Sequence, residues 1–131
     1  MQFRYTILYV ADVPASLTFY QAAFGFEIAF LHAGKDYGEL KTGETKLAFA
    51  AKDLIRQQGR APQAQSPATP AFGLSFETSD IAADLARAVS AGATLEHQVK
   101  EEPWGQTTAS VSDPDGYLIE ICSPVQVPSA G

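Results

Sequence analysis

The chain has 131 residues, of which 46% are hydrophobic and 18% charged, and its formal net charge is −6. That suffices for one compact domain with a real core and excludes a disordered chain. The acidic balance argues against nucleic acid, whose phosphates need Lys and Arg, and no apolar run approaches the roughly 20 residues of a membrane-spanning helix.

Cys122 is the one cysteine, so no intrachain disulfide and no Cys-paired zinc site can form. Its apolar neighbours, Leu118 to Ile121, make it a small hydrophobe at a strand end rather than a nucleophile. The N-terminus opens as a strand and not as a signal peptide, which sets the expected location as cytoplasmic.

Phe3 to Val10 alternates and is rich in aromatic and β-branched residues, so it predicts a strand with Tyr5, Ile7 and Tyr9 on one side. Asp12 has the character of a helix N-cap, with Pro14 in the first turn, where its missing N–H costs nothing. Leu17, Phe19, Tyr20, Ala23 and Phe24 recur at helical spacing, and Gly25 ends the helix. Strands are predicted over 26–32, 37–41 and 46–51, with turns at 33–36 and 42–45. Residues 53–70 read as a linker, dominated by Gln, Ala, Ser and Pro from Gln57 onward, with a short helical stub at 52–58.

The pattern then restarts. A strand is predicted over 72–78, and Ser79 or Asp80 caps a helix carrying Ile81, Leu85, Ala88 and Val89 that Gly92 closes. Strands follow over 94–100, 106–113 and 117–123, and residues 126–131 read as a flexible tail. The separation from Asp12 to Asp80 matches that from Gly25 to Gly92 to within one residue, which indicates an internal duplication. The predicted fold is α+β: two tandem βαβββ modules, about 1–52 and 71–125, within a single domain. Paired, they would form a curved, incomplete barrel with a concave ligand groove.

Three stretches carry a family resemblance. The first runs from Tyr9 to Tyr20 and continues in Phe24-Gly25-Phe26. The second is Pro103-Trp104-Gly105-Gln106. The third is Asp113-Pro114-Asp115-Gly116-Tyr117-Leu118-Ile119-Glu120. Together they resemble the glyoxalase / bleomycin-resistance / extradiol dioxygenase superfamily (vicinal oxygen chelate fold), and the Pro-Trp-Gly segment is similar to its bleomycin-resistance-like branch. The resemblance implies a homodimer. It also implies a divalent metal held by His, Glu or Gln on the first, fourth, fifth and eighth strands.

The corresponding positions here are Tyr5, a position near Leu47, Gly73 and Glu120, of which only Glu120 is a standard ligand type. His32 and His97 miss these positions and do not share the repeat offset. The expectation is therefore no metal and no other cofactor. The alternative is a hard cation such as Mg²⁺ held by Glu39, Glu77 and Glu120 with waters.

The residues expected to bind a ligand are Tyr5, Tyr9, Tyr37, Glu39, Phe49, Ser75, Glu77, Trp104 and Glu120. Aromatic faces beside carboxylates suit a planar or cationic organic molecule. Tyr5, Tyr9 and Phe49 could equally fill a core, and Trp104 could anchor a loop or a dimer contact. The leading functional reading is binding of a small, antibiotic-like organic molecule, with no nucleic acid and no membrane partner. Two readings stand against it. One is a superfamily lyase, isomerase or dioxygenase that uses an atypical metal or Glu120 as acid or base. The other is a non-catalytic accessory protein whose groove is filled by side chains. Whether the chain is an enzyme stays open, and the missing histidines weigh against it.

Overall fold

The computed structural model describes residues 1–125, so the expected tail over 126–131 lies outside the described residues. The elements are β1 (Tyr5–Val10), α1 (Val13–Phe24), β2 (Glu27–Leu31), β3 (Tyr37–Lys41), β4 (Lys46–Ala51), α2 (Lys52–Gln57), β5 (Leu74–Glu77), α3 (Ile81–Ser90), β6 (Thr94–Glu101), β7 (Thr107–Ser112) and β8 (Leu118–Cys122). The chain divides into two compact units, Met1–Ala64 and a second that begins at Gln65. Each unit holds a four-stranded sheet, ordered β1-β4-β3-β2 in the first and β5-β8-β7-β6 in the second. In both, the first strand runs parallel to the last and the remaining neighbours are antiparallel. This shared order bears out the α+β class and the duplicated βαβββ pattern. Among the described residues no helix is long and apolar enough to cross a membrane.

The helix ends follow the sequence signals. Asp12 accepts a hydrogen bond from the Ala15 N–H at 3.0 Å, satisfying a first-turn donor that the helix leaves unpaired. Gly25 closes α1 at φ 77°, donating its N–H to the Gln21 carbonyl. Of the two candidates for the second helix, Asp80 is the cap, accepting from the Ala83 N–H at 3.1 Å. At the far end of α3, Ala91 is still right-handed and the left-handed turn falls on Gly92.

In the first module α1 buries Val13, Leu17, Phe19, Tyr20 and Ala23. The Tyr20 ring lies 4.9 Å from that of Phe49 on β4, 5.4 Å from Phe19 and 5.4 Å from Phe24. Gly38 on β3 lets the helix approach, because a Cβ there would stand 2.6 Å from Leu17 Cδ1. The second module packs smaller residues. Ile81 and Ala88 of α3 are buried, together with Val111, Ile119 and Ile121 on β7 and β8.

The Asp-Pro-Asp-Gly turn between β7 and β8 is organised by Asp113. Its buried carboxylate accepts from the Asp115 and Tyr117 N–H groups, each at 2.9 Å. Gly116 has φ 89°, and a Cβ on it would meet the Gln65 carbonyl oxygen at 2.5 Å, so the chain at Gln65 lies directly on this turn.

Candidate functional sites on the two helix-free sheet faces

One face of the first sheet packs on α1 and one face of the second on α3, and the strand register shows which residues lie on the other face, helix-free in the sense that neither α1 nor α3 covers it. In the first module Leu8 pairs with Phe49, and Phe49 with Gly38, all on the α1 side. Tyr5, Ile7 and Tyr9 therefore alternate to the helix-free face, opposite Lys46, Ala48 and Ala50. Tyr37 pairs with Ala50, Glu39 with Ala48 and Phe30 with Glu39, so these residues share that face. It is largely aromatic, and Tyr5, Ile7 and Phe30 are each more than 40% exposed.

The polar groups on this face form a small network. The Tyr37 hydroxyl donates to Glu39 Oε2 at 2.8 Å, and Lys46 Nζ lies 3.6 Å from Glu39 Oε1. Burial is the largest cause pushing the Tyr37 phenol above its ordinary pKa, followed by its hydrogen bond to Glu39 and the Glu39 charge. The Tyr5 phenol, near enough to add a smaller push in the same direction, has no hydrogen-bond partner among the described residues.

In the second module Ser75 pairs with Glu120 and Glu120 with Ser110, while Glu77 pairs with Cys122 and Cys122 with Thr108. All belong to the helix-free face, which is a field of hydroxyls and carboxylates. Ser75 Oγ donates to Glu120 Oε1 at 2.9 Å and lies 3.3 Å from the buried Cys122 sulfur. The single Ser75 proton goes to Glu120, which leaves the thiol as donor in the second contact. Thr108 donates to Glu102 at 2.8 Å, and Ser112 donates to Glu96 at 2.8 Å. The Thr108 bond is the main cause holding the Glu102 carboxyl below its usual range, with Lys100 adding to it. The Glu77 and Glu120 carboxylates have no cationic partner among the described residues.

The expected site residues thus fall into three places. Tyr5, Tyr9, Tyr37 and Glu39 come together on the first module's helix-free face, and Ser75, Glu77 and Glu120 on the second's. Phe49 does not join them: it is fully buried against Tyr20 on the helix side, so of its two expected roles it takes the core one. Trp104 sits on the β6–β7 turn, 57% exposed. Its ring N–H donates to Gln106 Oε1 at 2.7 Å, and Gln106 in turn donates to the Ser123 carbonyl at 2.9 Å, so the indole is held although exposed.

Sequence reasoning missed Lys46 and Phe30. Lys46 pairs in register with Tyr5, which only the strand pairing reveals, since β4 is apolar at nearly every other position. Phe30 was hidden by the register shift between Ile28 and Phe30 in β2, which breaks the two-residue period.

The register narrows the fourth-strand metal position, expected near Leu47, to one residue. Glu120 pairs with Ser75, and the counterpart of Ser75 in the first module is Ile7, which pairs with Ala48. The equivalent of Glu120 is therefore Ala48, whereas Leu47 pairs with Thr6 on the other face. Tyr5, Ala48, Gly73 and Glu120 supply one carboxylate and one phenol, which does not fit a divalent ion that needs three or four N or O donors. Among the described residues no three His, Cys, Asp or Glu side chains gather as a metal site. His32 is tied into its own turn, with Nδ1 3.2 Å from the Gly34 N–H and 3.3 Å from Asp36. His97 contacts the neighbouring Gln98 carbonyl at 2.7 Å.

A depression of ≈ 340 Å³ beside the start of β1 is lined by Gln2, Phe3, Arg4, Glu44 and Thr45 and includes none of these site residues.

Two four-stranded βαβββ units in tandem define an α+β protein of the duplicated βαβββ class. The profile of the Glyoxalase/Bleomycin resistance protein/Dioxygenase superfamily matches residues 2–121, and the chain belongs to that superfamily. In sequence it is similar to the uncharacterized protein YraH of Bacillus subtilis (strain 168), 26% identical over 117 residues, covering 87% of this chain and 91% of YraH. Among solved structures it is similar to a glyoxalase-related enzyme from Fulvimarina pelagi, with a TM-score of 0.83 and 23% identity over 95% of this chain and 88% of that one. It is also similar to a glyoxalase/bleomycin resistance protein/dioxygenase family enzyme from Burkholderia phytofirmans PsJN, with a TM-score of 0.77 and 23% identity over 94% and 98% of the two chains. At that identity the structural likeness concerns the fold.

Proposed function

We propose that this protein binds a small planar organic molecule without a divalent metal, and acts by holding that molecule rather than by turning it over. The observation that carries the reading is the helix-free face of the first module. There Tyr5, Ile7, Tyr9, Phe30 and Tyr37 present aromatic and apolar surface, and three of them remain well exposed. Offset or edge-on stacking against such rings favours flat ligands. A cationic substituent, where the ligand has one, is not served by Glu39, which Tyr37 and Lys46 already engage. On the second module the held indole of Trp104 offers a stacking surface of its own. The protein works as a homodimer in the cytoplasm, a compartment that suits one buried free thiol. Sequestration of an antibiotic-like compound is the biological role that fits such binding.

The test begins with protein purified without affinity-tag metal and analysed for elements against an independent protein concentration. The expected result is no stoichiometric Zn, Fe, Mn, Ni or Mg, and a rise in melting temperature with flat aromatic compounds in the presence of a chelator. Stoichiometric metal, or a ligand response that appears only on adding metal, overturns the reading.

The solved neighbours described as enzymes favour a second reading, a reaction assisted by Glu120. It predicts turnover that Glu120→Gln abolishes. Binding unchanged in Glu120→Gln, with no turnover by either protein, counts against it.

A further inference from the structure

The first module's helix-free face carries its charges in a fixed arrangement. Glu39 is the carboxylate at its centre, with its side chain only 15% exposed and both oxygens engaged: Oε2 by the Tyr37 hydroxyl and Oε1 by the Lys46 ammonium. At 3.6 Å the Lys46 contact is an ion pair looser than a hydrogen bond. An ammonium has three donors, and Lys46 is 42% exposed, so its donors remain available to a ligand while Glu39 screens part of its charge. The nearby Tyr5 hydroxyl is likewise without a partner among the described residues. The remaining ion pair at this sheet's far edge, Lys41 with Glu27 at 3.3 Å, is closed on itself. Among the described residues the face therefore offers aromatic surface and hydrogen-bond donors, but no carboxylate without a partner.

We infer that Lys46 is the specificity-determining residue of this face, and that it selects planar aromatic ligands bearing a carboxylate or other anionic oxygen over those bearing an amine. The inference rests on the aromatic-face reading above and adds a sign to it. Lys46 lies in register with Tyr5, at the level of the sheet where the superfamily's first-strand metal ligand would stand. A fixed ammonium there supplies positive charge to a ligand oxygen without an ion. Glu39 has a supporting part: it orients Lys46 and is itself withheld from cationic ligands by that pairing.

The experiment uses the full chain in chelator and three probes of one shape: 2-naphthoate, 2-naphthylmethanol and 2-naphthylmethylamine. Binding is read from amide shifts of β1, β3 and β4, so any amine that binds at Glu77 or Glu120 is not counted. The expected order at neutral pH is naphthoate tightest, by about tenfold over the alcohol, as one charge-assisted hydrogen bond supplies. Lys46→Met, with Lys46→Gln as the second neutral variant, removes that preference. It also frees Glu39, so the amine now binds more tightly than the acid. Lys46→Arg keeps the wild-type order.

If the alcohol binds these strands but acid, alcohol and amine are equal, or if Lys46→Met and Lys46→Gln leave the order unchanged, the role of Lys46 is wrong and the aromatic-face reading survives. If none of the three probes shifts these strands, both are wrong.

Discussion

The two modules share one strand order and one register plan, yet their faces differ in kind. The first packs aromatic rings on both sides of its sheet: Tyr20, Phe24 and Phe49 toward the helix, and Tyr5, Tyr9, Phe30 and Tyr37 away from it. The second packs small and branched residues under α3 and carries hydroxyls and carboxylates on the opposite face, Thr108 and Ser112 among them buried. Only one face of each sheet has to be apolar to satisfy the fold, so duplication preserves topology and leaves the other face free to change chemistry. In this chain one copy has become a flat aromatic surface with donors, and the other an acceptor-rich surface.

That contrast is sharpest in the cores. Tyr20→Ala removes a ring that touches Phe19, Phe24 and Phe49, and should destabilise by about 3–5 kcal/mol in chemical denaturation. Ile81→Ala on α3, in the smaller-residue core, should cost less, roughly 2–3 kcal/mol. Equal costs would mean that the aromatic cluster does not dominate the first module.

The glycines make the next comparison. At Gly38 a Cβ collides with Leu17, so Gly38→Ala should cost roughly 1–3 kcal/mol through overpacking. At Gly73, the second module's counterpart of Tyr5, nothing lies within 4 Å of a Cβ. Gly73→Ala should therefore change stability by no more than about 0.5 kcal/mol. A costly Gly73→Ala would mean that this position is tightly packed after all.

The caps should be nearly equivalent. Asp12→Ala and Asp80→Ala each remove one acceptor from a first-turn N–H and should each cost about 1 kcal/mol. A difference larger than twofold in melting experiments would break the parallel between the helices.

The smallest effects are electrostatic and opposite in sign. Tyr37 holds its proton more tightly folded than unfolded, so its contribution to stability is complete below the ordinary value of 10.0 and is lost as pH rises beyond it. Ultraviolet titration should show one tyrosine ionising later than the rest, and Glu39→Gln should bring it back toward the others. Glu102 is the converse case: its carboxyl is lowered, so its contribution is present above the usual carboxylate range and fades as pH falls through its folded value. Carboxyl shifts in Thr108→Val should move Glu102 upward, and no movement would remove the Thr108 hydrogen bond as the cause.

Much of the fold could be read in the residues, because each element carries its own local signal. The N-cap aspartates, the helix-ending glycines and the alternation of β1 each report on a few neighbouring residues, and the strands over 37–41 and 46–51 match their predicted bounds. Faces were harder. β4 reads Lys-Leu-Ala-Phe-Ala-Ala, apolar at nearly every position, so its period cannot show which side is inward. Only pairing with β1 and β3 puts Phe49 in the core and replaces Leu47 by Ala48 opposite Ile7. Gly38 gave no warning either, since its partner Leu17 lies far away in sequence. The carboxylate set on β3, β5 and β8 was visible as residues. Which of its members were already neutralised was not, because Lys46 and Tyr37 act through space.

The account turns on the aromatic face of the first module working without metal, and amide-shift mapping of chelator-treated protein titrated with a neutral flat ligand, 2-naphthylmethanol, tests it most directly. The account predicts saturable shifts centred on β1, β3 and β4, weakened by Tyr9→Ala and indifferent to added Zn²⁺, Mn²⁺ or Mg²⁺. Shifts confined to the second module, or binding that appears only when one of these ions is restored, would contradict it.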